Sequence, residues 1–223
     1  MKKLLGQDSR LVRCGTTLTS LIELNLLWIL CCLPVVTAGA ATTAVYYTLY
    51  RIITGQDDAV LRPFFRAFRQ NFRQATLLWL PLLLIAAILG LDGAYLAANY
   101  SGRFHVLWLA FAVMLIVYTV VATHAFAIMG RYDAPTGQIV RNCFLLTLTN
   151  FLRSLSVMLI SIALPLLLVF SPALVVKTLP LWGIVIFGLA FFVKAKLFLQ
   201  SFERNAARTE SAEDAENEDP NCA

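Results

Sequence analysis

A chain of 223 residues that is 59% hydrophobic and 14% charged carries more apolar surface than a soluble core of that size buries, since soluble domains are about 45–50% apolar and about 25% charged. Its mean hydropathy is +0.74, so lipid must cover part of it. The net charge of +5 is uneven: positions 203–223 hold seven acids and two bases, which leaves 16 of the 18 bases and six of the 13 acids in positions 1–202. Such a basic body points to anionic lipid head groups and argues against nucleic acid, because the bases are dispersed between apolar runs.

The fold class expected is all-α, a polytopic transmembrane helical bundle. Positions 1–15 form a basic cytoplasmic lead containing Lys2, Lys3, Arg10 and Arg13. It does not read as a signal peptide, because the apolar stretch begins only after Thr16 and no small-x-small cleavage site follows. One transmembrane domain over 16–202 is expected, with six spans at about 16–36, 40–53, 75–97, 104–129, 155–176 and 179–199. A hydrocarbon core of ~30 Å requires about 20 residues of helix. Segment 40–53 is the ambiguous one, being short and rich in Ala, Thr and tyrosine (Tyr46, Tyr47, Tyr50).

Before it comes Leu33-Pro34-Val35-Val36-Thr37-Ala38-Gly39. This is either a helical hairpin turn or a break that leaves carbonyls free for a ligand. After it, an amphipathic cytoplasmic helix is expected at 59–74. Arg62, Arg66, Arg69 and Arg73 fall within an arc of about 60° at helical spacing. Phe64, Phe65, Phe68 and Phe72 occupy the neighbouring arc. From Ala75 the chain turns apolar. Three readings of the stripe stay open: it lies on anionic lipid, docks a cytoplasmic partner as the coupling helices of ABC importers do, or binds a phosphorylated or acidic ligand.

Charge sorting sets the topology. With six spans and both termini cytoplasmic, the inside receives 16 bases and the outside only Arg103 and Lys177. Removing segment 40–53 alone weakens the split to 12 against six. The last segment, 203–223, is acidic and expected to be disordered.

Ionisable and polar groups at membrane depth are the default functional candidates. Here they are Glu23, Asn25, Asp92 and His124, with Lys194 and Lys196 near the inner end of the last span as possible pairing partners of Glu23. The bland reading of each is a satisfied interhelical contact. The five cysteines (Cys14, Cys31, Cys32, Cys143, Cys222) form no CxxC, and with His105 and His124 far apart no metal site is expected. The Asn99-Tyr100-Ser101 sequon lies close to the bilayer. No nucleotide-binding, hydrolase or zinc-protease motif occurs, so neither cofactor nor catalytic residue is expected and the chain does not read as an enzyme. A faint internal echo relates Gly55-Gln56 and Asn71-Phe72-Arg73 to Gly137-Gln138 and Asn150-Phe151-Leu152-Arg153.

Asn25-Leu26-Leu27-Trp28, the Leu33 to Gly39 motif, Tyr46-Tyr47, and Phe64-Phe65-Arg66-Ala67-Phe68-Arg69-Gln70-Asn71-Phe72 together resemble the YesL family of bacterial integral membrane proteins. The resemblance covers about residues 15–90. It implies a multi-pass cell-membrane protein of uncharacterised activity, an accessory of carbohydrate uptake whose partner is a carbohydrate ABC transporter. The chain lacks the EAA-type loop of the importers' own permeases. The alternative is a small secondary transporter or channel with Glu23, Asn25 and His124 lining its path.

Overall fold

A computed structural model describes residues 10–56, 59–99, 105–170 and 186–218. Among these the chain is all-helical: α1 Arg10–Cys32, a 3-10 turn Val35–Thr37, α2 Ala38–Ile53, α3 Leu61–Asn99, α4 His105–Met129, α5 Thr136–Thr149, α6 Phe151–Phe170 and α7 Phe187–Glu218. Three stretches are long and apolar enough to cross a membrane: Gly15–Cys32, Leu61–Asn99 and Val106–Met129. The bent pair Thr136–Thr149 and Phe151–Ala163, with 112° between its halves, makes a fourth if it counts as one span. Residues 100–104 and 171–185, which hold Arg103, Lys177, the end of expected span 155–176 and the first part of span 179–199, lie outside the described residues.

The hairpin reading of 33–39 holds. Pro34 cannot continue α1, and the carbonyls of Cys31, Pro34 and Val35 at the break are occupied. Thr37 donates through its hydroxyl to the Cys31 and Pro34 carbonyls. The Val35 carbonyl accepts from Trp79 Nε1 at 2.7 Å. Trp28 Nε1 reaches Thr42 Oγ1 at 3.2 Å across the turn, which ties α1 to α2.

α2 is the central helix. Gly39, Ala40, Ala41, Thr43, Ala44, Val45, Tyr46, Thr48, Leu49 and Tyr50 are all buried, because α1, α3, α4 and α7 surround it. Small residues allow that approach. Around the helix, Tyr50 donates to the Ala127 carbonyl at 3.1 Å and Gly130 lies against the α2 backbone at Thr43 and Tyr47. The low hydrophobicity of 40–53 therefore reflects cover by other helices.

The register of α2 on α3 departs from expectation. Gly39 faces Ala75 and Trp79, while Tyr47 and Arg51 face Arg62, Pro63 and Arg66. α2 therefore runs antiparallel along the basic half of α3, and the tip of the α1–α2 hairpin stands level with the first turn of its apolar half. Six parallel spans require that tip to lie level with Asn99, some 20 residues further along α3, or ~30 Å. The apolar half of α3 pairs instead with α4, where Gly93 meets Phe111 and Trp79 meets Phe126.

Two further sequence features can be placed on the helices. Residues 203–218 are helical: α7 runs unbroken to Glu218, through a stretch rich in the helix formers Ala, Glu and Arg. The internal echo is not repeated in conformation. Asn71 lies inside α3, bonded to the Ala67 carbonyl, whereas Asn150 sits at the break between α5 and α6.

The hairpin register is testable at Gly39. A Cβ there would lie 2.7 Å from Trp79 Cβ and 2.9 Å from the Ala75 carbonyl oxygen. Gly39→Ala is expected to destabilise the protein by about 1–3 kcal/mol. Gly90→Ala, with nothing within 4 Å, should stay within about 0.5 kcal/mol. Equal unfolding temperatures of the two variants in detergent would rule out this packing.

Candidate functional site

The four intramembrane candidates do not converge. Glu23 is exposed on α1 and Asp92 is exposed on α3. Asn25 is buried between α1 and α7, among Leu21, Trp28, Gly188 and Phe191, in a space packed too closely to admit a water. His124 is fully buried on α4. Its Nδ1 lies 3.0 Å from the Val120 carbonyl and 2.8 Å from Thr123 Oγ1. Nε2 has no hydrogen-bond partner among the described residues, and the ring stands edge-on to Phe198 at 5.0 Å between centroids. The expected pairing of Glu23 with a lysine is not formed: Lys194 Nζ lies 3.5 Å from Ser161 Oγ and 4.8 Å over the Phe191 ring, and Lys196 is exposed. Among the described residues, no group of three or more His, Cys, Asp or Glu side chains could hold a metal.

The arginine face, by contrast, is a real surface. Arg62, Arg66, Arg69 and Arg73 are all exposed. The opposite face of the same turns carries Pro63, Phe64 and Ala67, all buried. The phenylalanines divide: Phe64 is fully buried, while Phe65 and Phe72 are exposed and Phe68 is half-buried. Phe65, Phe68, Arg69 and Phe72 line a shallow surface groove of about 440 Å³.

The stripe also divides, in a way its spacing does not reveal. Arg62 and Arg66 share an open cleft of about 300 Å³ with Tyr47 and Arg51 of α2, lined also by Ala59 and Pro63. Arg51 was seen in the sequence only as a charge to be sorted. Its guanidinium stands 5.8 Å over the Tyr47 ring. The signal that links it to α3 is Gly55, whose φ of +70° lets the chain turn back. The Gly55 amide bonds the Ile52 carbonyl and the Gln56 amide bonds the Arg51 carbonyl, the paired pattern of a glycine helix stop.

A second polar cluster joins the α5–α6 elbow to α7. Asn150 Nδ2 donates to Asn205 Oδ1 at 2.9 Å, Asn205 Nδ2 to Thr149 Oγ1 at 3.3 Å, and Arg153 to the Gln200 carbonyl at 2.9 Å. These contacts hold α7 past its expected end at Leu199.

A family model described as "Protein of unknown function, DUF624" matches residues 21–93. That stretch contains the hairpin, the glycine stop and every residue of the arginine-lined cleft. The chain is also 28% identical over 176 residues to the "Uncharacterized protein YteU" of Bacillus subtilis (strain 168), across 76% of this chain and 78% of that one. No solved structure matches. The YesL resemblance is a finer assignment than these matches carry.

Asn150→Ala removes the amide that bridges the elbow to Asn205, at an expected cost of about 1–2 kcal/mol. Trypsin should then cut at Arg204 and Arg208 faster than in the unaltered protein. An unchanged cleavage rate would mean that the bridge does not hold α7.

Proposed function

We propose that the chain is a non-enzymatic, multi-pass scaffold of the cell membrane. Its arginine face and both termini lie in the cytoplasm, where it serves as an accessory to another membrane system. The observation that carries the reading is the contrast between the two sets of polar residues. Among the described residues, Asn25 and His124 are shut into separate packed places. The arginines stand open on one surface that is rigidly backed by α2. A conduit needs the first set joined and solvated; a docking platform needs the second. The carbohydrate importer as partner rests on the YesL resemblance alone.

Two topologies sort the charges equally. Six spans place 16 bases inside and two outside. If the α1–α2 hairpin enters from the cytoplasm and returns, both its ends stay inside and the same split results. The register of α2 on α3 favours the returning hairpin, as does the exposed face of α1. That face carries Thr16, Leu18, Thr19 and Glu23 toward the base, then only Leu26, Ile29, Leu30, Leu33, Val35 and Val36 toward the tip, apart from Pro34. A lone carboxylate facing lipid at the centre of a span is costly; at the base of a returning hairpin it meets water.

Val36→Cys, in a chain with Cys31 and Cys32 replaced by Ala, discriminates the two. Intact cells treated with a membrane-impermeant maleimide are expected to leave it unlabelled, while Ser101→Cys is labelled. Labelling of both from outside restores six spans. For the scaffold itself, the purified chain in liposomes is expected to move no ion or sugar above the level of empty vesicles. Flux abolished by Asn25→Leu or His124→Leu would make it a conduit.

A further inference from the structure

α3 keeps one face outward along its length. Its buried residues, among them Phe64, Ala67, Ala75, Leu78, Leu82 and Leu89, gather on one side at helical spacing. On the other side Arg62, Arg66, Arg69 and Arg73 are followed by Leu77, Leu80 and Leu84, and the whole set shares an arc of about 80°. All of them are exposed, the leucines by 62%, 43% and 64%. α2 and α4 pack on the remaining sides, α4 meeting α3 at Trp79 and Gly93. A column of charge therefore runs directly into a column of leucine. In the half of α3 that crosses the membrane, that leucine column faces acyl chains.

Depth picks out two of the four arginines. Taking Ala75 as the edge of the apolar half, Arg73 and Arg69 lie two and six residues before it, ~3 and ~9 Å by helical rise. A head-group layer is ~5–8 Å thick, so both guanidiniums stand among or beside the phosphates. Arg66 and Arg62 lie nine and 13 residues before Ala75, ~13 and ~20 Å, beyond that layer. Arg69 and Arg73 are spaced i,i+4, where like charges repel, and a phosphodiester between them meets both forks with charge-assisted hydrogen bonds. Arg69 also borders the groove of Phe65, Phe68 and Phe72, so rings flank the charge on one side. Leu77 is one turn beyond Arg73, ~6 Å along the axis. A phosphate held by the two arginines thus brings its own acyl chain onto Leu77, Leu80 and Leu84. Asp57 and Asp58, outside the described residues, precede Leu61; Arg69 and Arg73 stand eight and 12 residues past it, ~12 and ~18 Å along the helix.

We infer that α3 carries a binding site for one anionic phospholipid, its phosphate held by Arg69 and Arg73 and an acyl chain lying on Leu77, Leu80 and Leu84. A soluble anion has no use for the leucines, and an acidic protein segment does not follow the column into hydrocarbon. A phospholipid joins both chemistries in one molecule. The site goes beyond the scaffold reading and does not rest on it. Both topologies put the start of the apolar half of α3 at a bilayer surface, and Arg62 and Arg66 stay clear of the lipid.

The test uses the full chain in nanodiscs of phosphatidylcholine and phosphatidylglycerol in equal parts. Lipids that stay bound after release into detergent are counted by native mass spectrometry. Phosphatidylglycerol is expected to be retained in preference to phosphatidylcholine. R69Q/R73Q should lower its retention by about tenfold or more. R62Q/R66Q, which removes the same charge from the same face, should leave it within about twofold. R73Q alone serves if the first pair does not fold. Equal losses in both pairs would show a diffuse field instead of a site and overturn the proposal. Unchanged retention in R69Q/R73Q, or equal retention of the two lipids by the unaltered chain, would overturn it too. In a second arm, inorganic phosphate at millimolar concentration is added before release. The lipid is expected to stay; its displacement would show that the leucines contribute nothing and overturn the lipid assignment.

Discussion

The length of α3 is the constraint on which the rest depends. Its 39 residues extend ~58 Å, about twice the hydrocarbon thickness of a bilayer, so no placement buries all of it. Its composition says which half stays out: four arginines in the first part, an apolar run in the second. Each half then chooses its partner. The apolar half pairs with α4, whose exposed surface is as apolar as its own. The basic half pairs with α2, through Phe64, Ala67 and Ala75 on the face opposite the arginines. That one helix thus divides the described bundle into an α3–α4 pair and a group packed around α2.

This division explains why charge counting alone was insufficient. The positive-inside rule counts ends, and a hairpin that crosses twice puts its ends where a hairpin that returns puts them. The alternative that fails the count, with segment 40–53 alone kept out, separates two helices that the structure holds together through Trp28 and Thr42. Only contact register separates the surviving two, and register is written in small residues. Gly39 admits Trp79 because it has no Cβ, and Gly130 admits the α2 backbone for the same reason.

Much of this was legible in the sequence, and the rest was hidden for physical reasons. Helix positions followed from apolar runs and breakers: 104–129 anticipated His105–Met129, and Pro34 marked the hairpin. The arginine face was readable because 3.6-residue periodicity acts within one helix. Its partner Arg51 was not, because periodicity says nothing about which helix lies alongside. The end of α7 was hidden for a related reason. An acidic, Ala-rich stretch looks solvated and free when its composition is taken alone, but its hold on the elbow comes from Asn205, a single neutral residue that no composition average registers.

The same helix shows how a stable surface and a binding surface are kept from competing. Burying a guanidinium is costly, and burying one without a partner more so. On the lower turns of α3 that cost is avoided, since packing is carried by Phe64 and Ala67 while the charges point the other way. Losing an arginine there removes no core contact, and losing Phe64 removes no charge. The residues that hold this packing together are therefore distinct from those that give the helix a field. A glutamine at Arg62 or Arg69 consequently reports on binding with little confusion from stability, a separation that Arg51, half-buried against Tyr47, does not share.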